Sequence, residues 1–290
     1  MLSILIPIYN YNAYPLVQEV QKQCMESKID FEIICIDDAS DQIKTNINSI
    51  TLLTNCSFTE LSKNIGRSKI RNLLITKSKY DYLLFLDCDS IIRNKNYITK
   101  YLLNLEDFDV IYGGRLHPEN CPSSSQRLRW KYGRFIEDQT VSSRKQTPFK
   151  SLLFNNTLIK KNCFDKVKFK EELCAYGHED TFLSYKLSTF KFKVNHIENP
   201  VEHIDIDTNE DFVKKTKEAL ENLKSLYLLD QIDIRFIRMV QLYHFLNKTK
   251  LSFPISKLFP FFEKFLLKNI KGKNPSLFIF NVFRVGYICK

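Results

Sequence analysis

Asp87-Cys88-Asp89 follows directly on Tyr82-Leu83-Leu84-Phe85-Leu86, placing two carboxylates one residue apart at the end of an apolar run. On an extended backbone, side chains two apart share a face, so both can address one ligand. Hard oxygen donors at this spacing suit manganese or magnesium, with one carboxylate on the metal and the other on a ribose or a metal-bound water. The same residues also read as a strand end followed by a helix cap. A second acidic group, Gly177-His178-Glu179-Asp180, precedes a helical stripe at Phe182, Leu183 and Leu187. A carboxylate there can act as general base toward a hydroxyl, or it can complement the dipole of a first helical turn. His203, in Val201-Glu202-His203, carries an imidazole suited to a third metal position, although a lone histidine is more often structural.

What is missing narrows the chemistry. Only seven glycines occur, and none forms Gly-x-Gly-x-x-Gly or a Gly-Lys-Ser/Thr loop, so the usual backbone cradle for phosphate is absent. A diphosphate bound here needs cationic neutralisation, from a metal on the paired carboxylates together with Arg67 or Arg71. That combination favours metal-assisted departure of a diphosphate. Asp37-Asp38-Ala39-Ser40 can accept hydrogen bonds from a base or ribose, or Ser40 and Asp41 can cap a following helix. The eight cysteines (24, 35, 56, 88, 121, 163, 174 and 289) stand singly. Without Cys-x-x-Cys pairs they point away from zinc ribbons and redox motifs and toward reduced thiols.

The elements that must position these groups follow from periodicity. Leu2 to Ile8, Phe31 to Ile36 and Tyr82 to Leu86 are short apolar runs that read as buried strands. Leu16, Val17, Val20, Cys24 and Met25 give helical spacing between the first two, and Ile65, Ile70, Leu73 and Leu74 give it before the third. The β-α-β logic predicts a parallel, doubly wound sheet, whose ligands gather beyond the carboxyl ends of the strands. Those ends are Tyr9-Asn10, Asp37-Asp38 and Asp87-Cys88-Asp89. Residues 121–147 turn polar and basic, with helix expected around Trp130. Ser151 to Ile159 and Phe190 to Ile197 are expected to return to strand, and Asp211 to Leu229 to be helical.

Ile4-Leu5-Ile6-Pro7-Ile8-Tyr9-Asn10, Ile36-Asp37-Asp38-Ala39-Ser40, Asn64-Ile65-Gly66 with Arg71-Asn72, Asp87-Cys88-Asp89, and Gly177-His178-Glu179-Asp180 occur in this order over about 200 residues. Together they resemble the family 2 glycosyltransferases of the GT-A fold, including chondroitin-polymerase-type domains. The resemblance implies an α/β domain with a mainly parallel, Rossmann-like sheet and flanking helices. It places Pro7, Tyr9, Asn10, Asp37, Asp38, Asn64, Arg67, Arg71 and Asp87 around a nucleotide-sugar donor, usually a UDP-sugar. A divalent cation, Mn2+ or Mg2+, would lie on Asp87, Asp89 and His203, and Asp180, with Glu179 beside it, would be the base. Asn156, Trp130, Gly177 and His178 are expected on the acceptor side, facing a glycan or lipid-linked glycan, with inversion by direct displacement. Two departures stand out: Ala175-Tyr176-Gly177 before the Glu-Asp pair, and Ala39 where the family commonly has glycine.

The expected organisation is a catalytic domain over residues 1–205, its donor half at 1–110 and acceptor half at 111–205, followed by a basic helical appendage at 206–290. At 290 residues with 44% hydrophobic and 26% charged side chains, the chain has the material for one domain plus such an appendage. From Lys248 to Lys290 nine Lys and Arg face a single Glu, which concentrates the formal +10 charge at this end. Ile255, Leu258, Phe259, Phe262, Phe265 and Leu266 form a helical stripe there, with Pro254 and Pro260 expected to interrupt it. The stripe either packs on the catalytic domain or rests on an anionic membrane surface. No apolar run reaches the roughly 18 residues of a membrane span, and strand-like sequence starts at Leu2. The expected location is cytoplasmic, or peripheral on the inner face of a membrane. Arg127 to Arg134 with Trp130 and Tyr132 is the one stretch that suggests stacking on nucleic acid, and no nucleic-acid partner is expected.

Overall fold

Leu2, Ile4, Ile6 and Ile8 point to one side of the first strand and Leu5 to the other, and none of the five is more than 1% exposed. A strand buried on both faces reads as a continuous apolar run, which is the mark of a central parallel strand. The computed structural model describes residues 1–41, 47–173 and 176–290. Cys174 and Ala175, the latter part of the departure noted before Glu179, lie outside the described residues.

In chain order the first elements are β1 (Leu2–Ile8), α1 (Tyr14–Glu26), β2 (Phe31–Asp37), α2 (Ile47–Thr51), β3 (Cys56–Glu60), α3 (Arg67–Lys77), β4 (Tyr82–Leu86), β5 (Ser90–Ile91), α4 (Tyr97–Leu102), β6 (Val110–Tyr112) and β7 (Arg115–Leu116). They are followed by α5 (Arg127–Tyr132), α6 (Val141–Gln146), β8 (Asn156–Lys160), α7 (Glu179–Thr189), β9 (Val194–His196), β10 (Val201–His203), α8 (Asn209–Leu228), α9 (Arg238–Lys248), α10 (Ser252–Ile270) and α11 (Leu277–Cys289). The chain separates into two compact units. One holds Met1–Leu116, Gln139–Cys174 and Glu179–Ile204, and the other holds His117–Asp138, Ala175–His178 and Asp205–Lys290. The polar excursion around Trp130 thus falls with the C-terminal helices.

In the first unit the described strands form a seven-stranded sheet in the order β3-β2-β1-β4-β8-β6-β9 and a three-stranded sheet in the order β5-β10-β7. Helix α1 buries Leu16, Val17, Val20 and Cys24 on the face that carries Ile4 and Ile6. Helix α3 buries Ile70, Leu74 and Ile75 on the opposite face with Leu5. The sheet is parallel through β3-β2-β1-β4, but β8 runs antiparallel to both β4 and β6. The sheet is thus mainly parallel, as expected, with β8 as its one antiparallel strand among the described residues.

Asn156, expected on the acceptor side, is instead fully buried at the start of β8. Its Oδ1 accepts from the hydroxyls of Tyr97 (2.6 Å) and Tyr101 (2.7 Å), and its Nδ2 donates to the carbonyls of Gly114 (2.7 Å) and Asn199 (2.9 Å). One amide side chain thus pins α4 and two loops to the sheet.

In the second unit, Phe212, Phe259, Phe280, Phe283, Leu266 and Ile270 make one core, and Leu220, Leu223, Val240, Tyr243 and Leu246 belong to another. Helix α10 runs unbroken through both prolines. Pro254 sits in the first turn, where no intrahelical N–H is needed. Pro260 is exposed, so water can meet the carbonyl that its missing N–H leaves without a partner. No helix of the described residues is long and apolar enough to cross a membrane.

Replacing Asn156 with alanine strands the Tyr97 hydroxyl and the Asn199 carbonyl in the core and leaves the Tyr101 hydroxyl and the Gly114 carbonyl with one partner fewer, the main-chain carbonyl of residue 156 and the N–H of Val201 remaining. At about 1–3 kcal/mol per stranded group, offset by partial relaxation, urea denaturation is expected to show a loss of roughly 3–5 kcal/mol. A loss below about 1 kcal/mol would contradict the pinning role.

Candidate active site

Pairing Ile8 with Asp37 and Leu5 with Phe85 in parallel register brings the ends of β1, β2 and β4 to one sheet edge. The residues that follow these strands are held by one another. Asp37 accepts from the backbone N–H of Ser40 at 2.8 Å and from its hydroxyl at 2.6 Å, and Ser40 Oγ accepts from the N–H of Asn10 at 2.7 Å. Asp38 accepts from the N–H groups of Ile65 (2.7 Å) and Gly66 (3.0 Å), tying the β2 end to the start of α3. Gly66 has φ 84° and ψ 163°, a conformation open essentially to glycine alone. Ala39 sits at φ 56° between the two turns.

Arg71 stands at the centre. It projects from α3, is only 2% exposed, and lies over the ring of Phe169 at 5.3 Å. Its Nη2 is 3.1 Å from Asp87 Oδ1, and its Nη1 is 2.6 Å from Asp180 Oδ1 and 3.6 Å from Glu179 Oε1. Arg67, half exposed one turn earlier on α3, reaches Glu179 at 3.6 Å. Three carboxylates hold the guanidinium charged despite its burial. The second oxygen of Asp180 accepts from the N–H of Phe154 at 3.0 Å. Burial pushes the Asp180 carboxyl up to about 6; Arg71 opposes this and Glu179 adds to it. Each carboxylate oxygen keeps a further lone pair, and the Asp180 side chain is 15% exposed.

His203 reaches the same edge by another route. β5 and β10 pair Ser90 with His203 and Ile91 with Glu202, the N–H of Ile204 donates to the carbonyl of Asp89, and Arg93 clamps Glu202 at 2.8 Å. His203 Nδ1 thereby lies 3.1 Å from Asp89 Oδ2. Burial works against ionisation of Asp89, but His203 and then Arg67 hold its carboxyl below the usual range. Asp89 Oδ1 is buried with no hydrogen-bond partner among the described residues. Asp87 is turned to Arg71, and no three His, Cys, Asp or Glu side chains of the described residues converge as a complete metal cage. A lone buried carboxylate oxygen beside an imidazole fits a divalent cation that takes its other ligands from phosphate and water, as magnesium commonly does.

Of the remaining expected residues, Tyr9 is half exposed with its hydroxyl on Asp41 at 3.1 Å, and Asn64 is exposed. Pro7 is partly buried in β1, and Asn10 follows the strand with φ 51°. Trp130, Gly177 and His178 belong to the second unit. There the Trp130 indole donates to the carbonyl of Pro118, and Gly177 accepts from Asn222. His178 has φ 69°, a rare conformation for a side-chain-bearing residue just ahead of Glu179 and Asp180. Sequence reasoning missed Phe169 beneath Arg71, the Phe154 amide on Asp180 and the Arg93–Glu202 clamp. None of these carries a local pattern that would have marked it.

The model of the glycosyl transferase family 2 matches residues 3–179. No curated protein matches the sequence. Among solved structures, S. aureus TarS 1–349 in complex with UDP-GlcNAc is similar at 15% identity over 99% of this chain and 90% of that one, with a TM-score of 0.54. The mannosyltransferase PcManGT from Pyrobaculum calidifontis, in complex with GDP-Man and Mn2+, is similar at 10% identity over 79% of this chain, with a TM-score of 0.53. The chain spans 63% of the length of that mannosyltransferase and, at 16% identity and a TM-score of 0.51, 54% of a longer TarS chain. At these identities the likeness is one of fold. The family match reaches from β1 through the strand-end acids to Glu179 and covers more than half of the residues, so the chain belongs to glycosyl transferase family 2.

Proposed function

We infer that this enzyme transfers a sugar from a nucleoside diphosphate sugar, a UDP-sugar in the first instance, to a hydroxyl of a glycan or lipid-linked glycan. The observation that carries the reading is Arg71, buried and shared between Asp87 at the end of β4 and Asp180 at the start of α7. It fixes a donor-side and an acceptor-side carboxylate on one rigid cation. The fold neighbours solved with UDP-GlcNAc and with GDP-Man and Mn2+ support a donor of this class.

Asp89 and His203 would hold a divalent cation, which when bound supplies positive charge to the leaving diphosphate. Asp87 is left to orient the ribose, and Arg67, half exposed, to meet phosphate oxygens. Asp180 takes the proton of the acceptor hydroxyl as that oxygen bonds to the anomeric carbon and the bond to the diphosphate breaks. One displacement of this kind inverts the anomeric centre. Asp180 is assigned as base over Glu179 because burial raises its proton affinity toward neutral pH and its side chain is the more open of the two, 15% exposed against 7%. A base is most effective when its pKa lies near the working pH.

The base must be ionised, so activity is retained above a pKa of about 6 and lost below it. In the wild type kcat/KM should fall to about a tenth between neutral pH and pH 5. Asp180→Asn should lower transfer by about 100-fold or more while keeping donor binding. Wild-type turnover in that variant would move the role elsewhere. A panel of donors with manganese, read by release of the nucleoside diphosphate, should identify the donor, and Asp89→Ala should abolish the manganese response. Equal release by both proteins would sink the metal assignment. Anomer-resolved NMR of the first product is expected to show inversion, and retention would exclude direct displacement.

A further inference from the structure

The exposed side of α10 is apolar. Phe253 (67% exposed), Leu258 (55%), Phe261 (82%), Phe262 (57%) and Phe265 (69%) all stand in solvent, while Phe259, Leu266 and Ile270 on the same helix are buried in the core of the second unit. Phe261, Phe262 and Phe265 follow Leu258 by three, four and seven residues and so share one helical face with it. Lys257, Lys264 and Lys268 are spaced by seven and four and run as a row along the edge of that face.

The charge on this side has one sign. The one acid of the helix, Glu263, is partly buried and is met by Lys217 at 3.0 Å and Lys290 at 3.3 Å. The three lysines of the row make no ion pair with an acid among the described residues, and Lys257 lies over the ring of Phe253 at 5.7 Å. Contiguous exposed aromatics of this kind mark an interaction surface rather than ordinary solvent-facing helix. The helix is about 28 Å long, and it is not apolar enough to cross a bilayer.

We propose that this face of α10 lies on an anionic lipid surface, with Phe261 and Phe265 inserted among the acyl chains and Lys257, Lys264 and Lys268 on the headgroups. Aromatic insertion and headgroup attraction are the two contributions that hold amphipathic helices at an interface. A second copy of the chain is a poorer occupant, because the face offers no acid to meet the lysines of its partner. The phosphates of a nucleic acid would meet the lysine row but leave Leu258 and the flanking phenylalanines in water. The inference stands independently of the donor chemistry. Its consequence for an enzyme acting on a lipid-linked acceptor is a raised local concentration of that acceptor.

The test uses the full-length protein and sedimentation with vesicles of phosphatidylcholine alone or mixed with phosphatidylglycerol. Wild type is expected to partition onto the mixed vesicles at least about tenfold more strongly than onto the neutral ones, and more weakly as salt is raised. Phe261→Ser with Phe265→Ser should reduce that partition by about tenfold or more. Lys257→Gln, Lys264→Gln and Lys268→Gln together should reduce it by about 100-fold, at roughly fivefold per lysine. All five side chains are outside the core, so circular dichroism and nucleoside diphosphate release in vesicle-free solution should match wild type and show that the variants are folded. Folded wild type that stays in solution with the anionic vesicles overturns the proposal, as do variants that bind as wild type does. Dimerisation or oligonucleotide binding that depends on these residues without vesicle binding also overturns it. Because sedimentation needs no turnover, failure here is separable from failure of the donor assay.

Discussion

A guanidinium that is only 2% exposed has to be neutralised where it lies, and the placement of Arg71 sets the positions of everything around it. An unpaired charge at that depth would cost several kcal/mol, so the folded chain must deliver carboxylates to it. It does so from two directions, with Asp87 from the end of a parallel strand and Glu179-Asp180 from the first turn of α7. Phe169 closes the remaining side with the face of its ring. Asp87 and the Glu179-Asp180 pair are therefore one electrostatic unit, and displacement of either is felt by the other through the shared Arg71 guanidinium.

The balance of charge in that unit bears on what it holds. Asp87, Asp89, Glu179 and Asp180 oppose Arg67 and Arg71, which leaves a formal excess of two negative charges when all four acids are ionised. Burial resists that excess, and the upward push on Asp180 is its visible sign. A divalent cation at Asp89 and His203 would cancel it. The charge of the site, like the Asp89 oxygen without a partner among the described residues, thus matches a divalent cation.

The placement of the strand-end acids was legible in the sequence because β1, β2 and β4 are buried on both faces and so spell continuous apolar runs with the acids at their ends. β3 escaped notice because it is a half-exposed edge strand without such a run. The direction of β8 could not be read, since an apolar run carries no polarity of its own, and the burial of Asn156 could not be read because its four partners, two on α4 and two in loops, are distant in sequence. The interruption expected at Pro260 assumed that every helix proline meets a buried backbone, whereas this one faces solvent. The turn at Asp37 and Asp38 was left open between ligand binding and capping, and both carboxylates are in fact occupied by backbone N–H groups and Ser40. Ala39 at φ 56° gives the physical reason that glycine is the common residue there, since an L side chain in this region costs about 1–2 kcal/mol.

The two-residue ladder between β5 and β10 was too short to leave any periodic trace, yet it carries His203 to Asp89. A connection of so few hydrogen bonds opens at far lower free energy than the seven-stranded sheet beside it. His203 and Ile204, which lie beyond the register of β10 with β7, would then exchange their amide protons by local opening, well before the sheet does. Each opening separates the imidazole from Asp89 while leaving Arg71 and its carboxylates in place. The Asp89–His203 pair is thus the part of the site with its own melting behaviour, so warming would separate the two side chains while the rest of the fold persists.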